Sequence, residues 1–148
     1  MKIIILIVSI VILSSCENTK TNLQFKGDLS QTGVYEEDKE GIKHLVLDHK
    51  DKSYFLKKNP TIGYKKISDI YPYEERCDTD KICIDVVFTE EGMDEFTELT
   101  KRNLHKQIFF VIDGVIINAP YVNGVITFGT TTINVEKKYF DSLFIANK

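Results

Sequence analysis

Tryptophan is absent from this chain, and proline, cysteine and histidine each occur only three times in 148 residues. With so little proline, and with no repeats or low-complexity segments, the chain reads as one folded unit rather than a string of linkers. His44, His49 and His105 are too dispersed for a zinc site, and none pairs with Cys or Glu at ligand spacing. Surface or structural roles are expected for all three. Asp78 and Asp80 imitate the first two positions of a calcium loop, but the glycine and distal bidentate glutamate of such a loop are missing. No phosphate-cradling glycine loop occurs, and no serine, Ser142 included, sits in a nucleophile motif. The expectation is therefore no metal, no nucleotide, no other cofactor and no enzymatic activity. Basic blocks are missing as well: 19 Lys and Arg stand against 22 Asp and Glu, a formal net charge of −3. That balance argues against nucleic acid as a partner.

Long hydrophobic runs are also lacking. The longest, residues 3–13, has eleven positions, whereas a helix needs ~20 apolar residues to cross a bilayer. Lys2 precedes this run and Leu13-Ser14-Ser15-Cys16 closes it, the pattern of a secretory signal. The Leu-Ser-Ser-Cys ending resembles a bacterial lipobox, which implies that the Cys16 sulfur is lipidated (palmitate and a diacylglyceryl group) and becomes the new N-terminus. Loss of Lys2 leaves 18 basic residues against 22 acidic, near −4, so the lipid rather than charge must hold the membrane. A single acyl chain binds only marginally, and a diacylglyceryl cysteine supplies the second chain that stable anchoring requires. The expected organisation is a lipoprotein signal peptide over residues 1–15, lipidated Cys16 with a polar flexible tether over 16–30, and one domain over 31–148. This places the domain in the bacterial cell envelope, on the extracytoplasmic side.

The domain reads as α+β. Strands are expected at Ile42-Lys43-His44-Leu45-Val46-Leu47-Asp48 and Ser53-Tyr54-Phe55-Leu56, with His49-Lys50-Asp51-Lys52 as their turn. Residues 61–70 are ambiguous, with a short helical turn as one option. A strand over residues 71–76, a polar turn at Asp78-Thr79-Asp80-Lys81 and an alternating strand over 82–88 follow. Thr89 can cap a helix that carries Glu90, Glu91 and Asp94 in its first turn and Lys101 and Arg102 in its last. Met93, Phe96, Leu99, Thr100 and Leu104 give that helix one apolar face. Asp113-Gly114 marks a hairpin between residues 107–112 and 115–118. Ala119-Pro120 ends its second strand, Val125-Ile126-Thr127-Phe128 makes another, and Asn134 caps a closing helix with Val135, Tyr139, Phe140, Leu143 and Phe144 on one face. The expected architecture is an antiparallel sheet with two main helices packed on one face.

Several of these residues form an ordered pattern. Phe88-Thr89-Glu90-Glu91-Gly92 is followed by Phe96, Leu99-Thr100, Asn103 and Lys106, then Asp113-Gly114, Asn118-Ala119-Pro120 and Ile126. Tyr54-Phe55-Leu56-Lys57-Lys58-Asn59-Pro60 and Ile67-Ser68-Asp69-Ile70 lie upstream in compatible order. Over residues 54–144 the chain resembles the head subdomain of the first periplasmic domain of SecD/SecDF, the accessory subunit of the Sec protein-export translocase. The resemblance implies a head that contacts polypeptide outside the cytoplasm. The energy-converting membrane helices of that family have no counterpart in the pattern, so no translocase activity is expected of this chain alone.

Two further readings complete the expectation. Cys77 and Cys83 flank a four-residue turn and would leave no unpaired thiol if bridged, as an oxidising compartment favours; reduced cysteines with Cys83 buried in its strand are the alternative. Asn118, Ala119, Pro120 and Tyr121 interrupt the sheet, which suggests an exposed polypeptide-binding surface. A lipid-anchored binding module for polypeptide, in protein transport or quality control, is the leading function. The alternative is a structural or assembly lipoprotein that docks one dedicated envelope partner.

Overall fold

The computed structural model describes residues 22–47, 49–73 and 79–146. Among them are eleven strands and two α-helices, divided over three sheets. The largest sheet takes six strands: β2 (Gly33–Tyr35), β3 (Glu37–Val46), β4 (His49–Leu56), β5 (Ile62–Gly63), β8 (Phe109–Ile112) and β9 (Val115–Asn118). They lie in the order β4-β3-β9-β8-β2-β5, antiparallel except where Val46 of β3 meets Ile116 of β9 in parallel. The second sheet has β6 (Ile67–Tyr73), β7 (Lys81–Phe88) and β10 (Thr130–Glu136), with β7 in the centre. The third pairs β1 (Leu23–Phe25) with β11 (Phe144–Ala146).

Apolar pattern explains the layering. All four residues of β8, Phe109-Phe110-Val111-Ile112, are buried, because both faces of this strand are covered. Phe110 and Ile112 join the main core, where Val34 and Ile62 meet Ile84, Val86, Ile133 and Val135 of the second sheet. Phe109 and Val111 belong to a smaller cluster with Tyr35, Leu56 and Ile116. The β3–β4 arm curls over that cluster: the Tyr54 and Phe109 rings stand 4.8 Å apart, and Lys57 N donates to Glu36 O at 3.1 Å. The hairpin expected at Asp113-Gly114 forms, with φ of 51° and 75° at the two turn residues, the positive pair a two-residue turn demands.

The helix α1 (Glu90–Arg102) begins as its sequence predicts, with Thr89 Oγ1 accepting from Gly92 N at 3.1 Å. Phe96 and Leu99 are fully buried, and Phe96 stacks on Phe88 at 4.6 Å. Leu104 lies beyond the helix and is partly exposed. Gly92 looks unfavourable by propensity, since glycine costs about 1 kcal/mol relative to alanine inside a helix. The contact explains it: a Cβ here would stand 2.4 Å from the Lys66 carbonyl oxygen, and that carbonyl accepts from Thr89 N at 2.9 Å. Gly92→Ala should therefore destabilise the domain by about 1–3 kcal/mol, the usual cost of overpacking, instead of stabilising it. Urea denaturation of the two proteins measures this, and a more stable alanine variant would contradict the close approach.

Five expectations are corrected. There are three sheets with one parallel pairing, and α1 touches β5 and β7, one strand from each larger sheet, while α2 (Lys137–Leu143) touches β7, β10 and β11. Asn134 does not cap a helix: Thr130-Thr131-Thr132-Ile133-Asn134-Val135-Glu136 is a strand, its β-branched residues favouring the pleated state and burying Ile133 and Val135 in alternation. Residues 125–128 form no strand; Ile126 is instead pinned to α1 by Thr97 Oγ1 (2.9 Å) and Thr100 Oγ1 (3.0 Å). The turn expected at residues 49–52 belongs to β4, since Val46 already pairs with His49. Residues 22–30, read as tether from their polarity, carry β1, a buried Leu23 and the capping bond from Ser30 N to Asp28 Oδ1 at 2.9 Å.

Candidate functional site

Every sheet edge presents unpaired backbone groups that another chain could extend, and proteins ordinarily guard them. On β4 the guard is charge, with exposed Asp51 and Lys52 in the strand. The other edge of that sheet, β5, is only two residues long. On β6 the guard is Asn22, whose Nδ2 donates to Asp69 Oδ1 at 3.0 Å while its Oδ1 accepts from Ile70 N at 3.4 Å.

The β10 edge is different. Phe88 N donates to Gly129 O at 2.8 Å and Lys137 N to Asp80 O at 2.9 Å, so odd-numbered residues at both ends point toward β7. N–H and C=O of one residue share a side in an antiparallel pair, and Thr130, Thr132, Asn134 and Glu136 therefore point outward. Asn118 Nδ2 reaches the outward carbonyl of Asn134 at 3.3 Å, in agreement. Among the described residues nothing pairs with the backbone groups of Thr130 and Thr132. The strand carries no charge between Thr130 and Val135. Phe128, two positions before it, is 75% exposed, the most exposed large apolar side chain among the described residues.

Where β10 approaches β9 a cleft of about 260 Å³ opens, lined by Leu47, Ile117, Asn118, Ala119, Val135 and Tyr139 among others. Two of the four residues expected to form a binding surface, Asn118 and Ala119, thus border this cleft. Pro120 and Tyr121 do not line it. Pro120 interrupts no pairing either: its carbonyl accepts from Ile108 N at 3.1 Å, Gln107 bridges Tyr121, and Val122 N donates to Lys106 O at 2.9 Å. The backbone there extends the β8–β9 hairpin, leaving only the Tyr121 side chain, 63% exposed, available to a partner. The β10 edge was missed because Asn134 followed by an apolar face resembles a capped helix; the signal that could have found it is the period-two burial of Ile133 and Val135.

A second polar constellation lies at the start of β3. Glu36 is 7% exposed. It accepts from Arg102 Nε (2.7 Å) and Nη2 (2.9 Å), Asn103 Nδ2 (2.8 Å), Lys57 Nζ (2.5 Å) and Thr61 Oγ1 (2.9 Å). The Arg102 guanidinium foremost, aided by Lys57, Asn103 and Thr61 and opposed by burial, holds its carboxyl well below the usual carboxylate range. With five donors on two oxygens this carboxylate ties β2–β3 to the end of α1; no lone pair is left for a reacting proton. His44 is buried and bonds Gly114 O through Nδ1 at 2.8 Å, a structural role, whereas His49 and His105 are exposed. Cys16 and Cys77 lie outside the described residues; Cys83 is buried in β7, its Sγ 3.2 Å from Asn134 Oδ1.

The family described as SecDF, P1 head subdomain, matches residues 36–139 of this sequence. The chain belongs to that family. The Glu36 network, α1, the β10 edge and the cleft beside it all fall inside the matched span, while β1 and β11 fall outside it. Among solved structures, SecDF in a super-membrane-facing form shares 22% identity with a TM-score of 0.53, over 73% of this chain and 17% of that one. This chain therefore spans about a sixth of that SecDF. A second SecDF structure, described as a membrane component that enhances protein export, shares 19% identity with a TM-score of 0.49, over 79% of this chain and 55% of that one. No curated protein matches this chain. Among the described residues no helix of the SecDF-type head is long and apolar enough to cross a membrane.

Proposed function

We propose that this SecDF-type head is a lipid-anchored, extracytoplasmic module that binds extended polypeptide along β10 during envelope protein export or quality control, without enzymatic or translocase activity of its own. Membership of the SecDF P1 head family supports the export context. The observation that carries the reading is the uncharged β10 edge, where the outward backbone groups of Thr130 and Thr132 have no partner among the described residues, inside the family-matched span. Strand addition draws its affinity from main-chain hydrogen bonds and therefore asks little of the client's sequence. Ordering a flexible client offsets much of the contact energy, so micromolar or weaker binding is expected, with no requirement for metal or nucleotide.

The test uses the mature chain from Glu17 onward, without lipid, titrated with a reduced and alkylated unfolded protein. Saturable amide shifts should concentrate at Thr130, Thr132 and Asn134. Thr132→Pro removes an outward N–H that makes no ladder bond, a substitution that edge strands tolerate. It should weaken binding about tenfold, or 1.4 kcal/mol, by deleting one bond and blocking the strand path. Unchanged affinity in Thr132→Pro would reject the β10 site. Absence of any saturable shift, together with nanomolar capture of one folded envelope protein, would favour the dedicated-partner role.

A further inference from the structure

We infer that the β1–β11 side of the domain faces the phospholipid surface and that the β10 edge is thereby held away from it. This inference rests on the lipid-anchor reading of Cys16. The first described residue, Asn22, is already fixed to the fold by its two bonds to β6, and Leu23 behind it is 4% exposed. Only the six steps from Cys16 to Asn22 separate lipid from domain. Whatever their conformation, six residues reach at most about 20 Å, and a flexible chain of that length typically spans about 13 Å. A domain of this size has a radius of gyration of roughly 14 Å, comparable to that typical span, so such a tether favours the side that carries Asn22 over the opposite one.

Register then gives the direction. Asn22 contacts Ile70 on the outer side of β6; Ile70 pairs with Val86 of β7, and Val86 pairs with Thr131 of β10. The line from anchor to open edge runs straight across the three-stranded sheet, and β10 stands two strand spacings, roughly 10 Å, beyond β6. On the anchor side, Ala146 pairs with Leu23, and Ile145 is 49% exposed. These β1 and β11 residues lie outside the span that matches the SecDF head. The short attachment thus turns one sheet edge toward the bilayer and offers the opposite edge to polypeptide.

The absence of tryptophan makes single reporters possible. Ala146→Trp and Thr132→Trp, each in the full lipoprotein matured in cells, are reconstituted into phosphatidylethanolamine–phosphatidylglycerol vesicles that carry a dansyl-headgroup lipid. Energy transfer from Ala146→Trp should exceed that from Thr132→Trp about threefold or more, given the added strand spacings. Inserting about 20 Gly/Ser residues between Cys16 and Asn22, which raises the typical span to about 28 Å, should abolish the difference. Equal transfer without the spacer, or greater transfer from Thr132→Trp, overturns the orientation while leaving the anchor intact. Protein that carries no lipid by intact mass and does not float with the vesicles overturns the anchor, and the orientation with it.

Discussion

Glu36→Ala should be among the most damaging single substitutions in the domain, at about 3 kcal/mol, the lower end of what removing one partner of a buried ion pair costs. The lower end applies because Arg102 and Lys57 are each 47% exposed and can turn their charges back to water. Asn103 keeps its second bond, to Leu99 O at 2.9 Å. What is lost is the joint between β2–β3, the segment before β5 and the end of α1. A loss of this size is a large share of the 5–15 kcal/mol that holds a typical domain together. Acid should reproduce it in the unaltered protein. The folded carboxyl sits below its ordinary range, whereas the unfolded one titrates near about 4.3. The unfolded chain therefore takes up the proton first: the stabilisation is complete above that value and is lost as pH falls toward the lowered folded value. Urea denaturation between neutral pH and pH 3 should show the wild type losing stability more steeply than Glu36→Gln, with the two curves converging in acid. Parallel curves, or a cost below 1 kcal/mol at neutral pH, would contradict this account.

The contrast between α1 and Glu36 shows what sequence can reveal here. α1 is written in local spacing: Thr89 caps Gly92 three positions on, and Phe96 and Leu99 share a face within one turn. The Asp113-Gly114 hairpin is equally local. Glu36 has no such mark, because its partners lie 21, 25, 66 and 67 positions away, and only the assembled sheet brings them together. β10 failed for another reason. Asn134 is a good cap, and Val135, Tyr139 and Phe140 can share a helical face, so local pattern allowed two answers. Pairing with the central β7, which buries Ile133 and Val135 against the main core, decided between them. The same non-local pairing created the open edge, and the expected binding surface meets it at Asn118 and Ala119, which line the cleft beside β10.

Cys16→Ser should move the protein almost entirely from the membrane fraction to the soluble extracytoplasmic fraction, an effect larger than any change inside the domain. Each buried methylene contributes about 0.8 kcal/mol to membrane affinity, and two acyl chains together make an anchor that does not exchange on the timescale of fractionation. No helix among the described residues is long and apolar enough to cross a bilayer, and the excess of acidic over basic residues in the chain offers no attraction to anionic lipid. High salt should leave the wild type bound, since salt screens charge and does not extract acyl chains. Fractionation, with intact mass to establish that residues 1–15 are gone from both proteins, measures the outcome. A serine variant that loses its signal yet stays with the membrane at high salt would refute the lipid anchor. If instead it is released but still binds unfolded polypeptide as the lipidated protein does, anchoring and binding are separable functions: the lipid sets where the β10 edge is offered, and the edge sets what is bound.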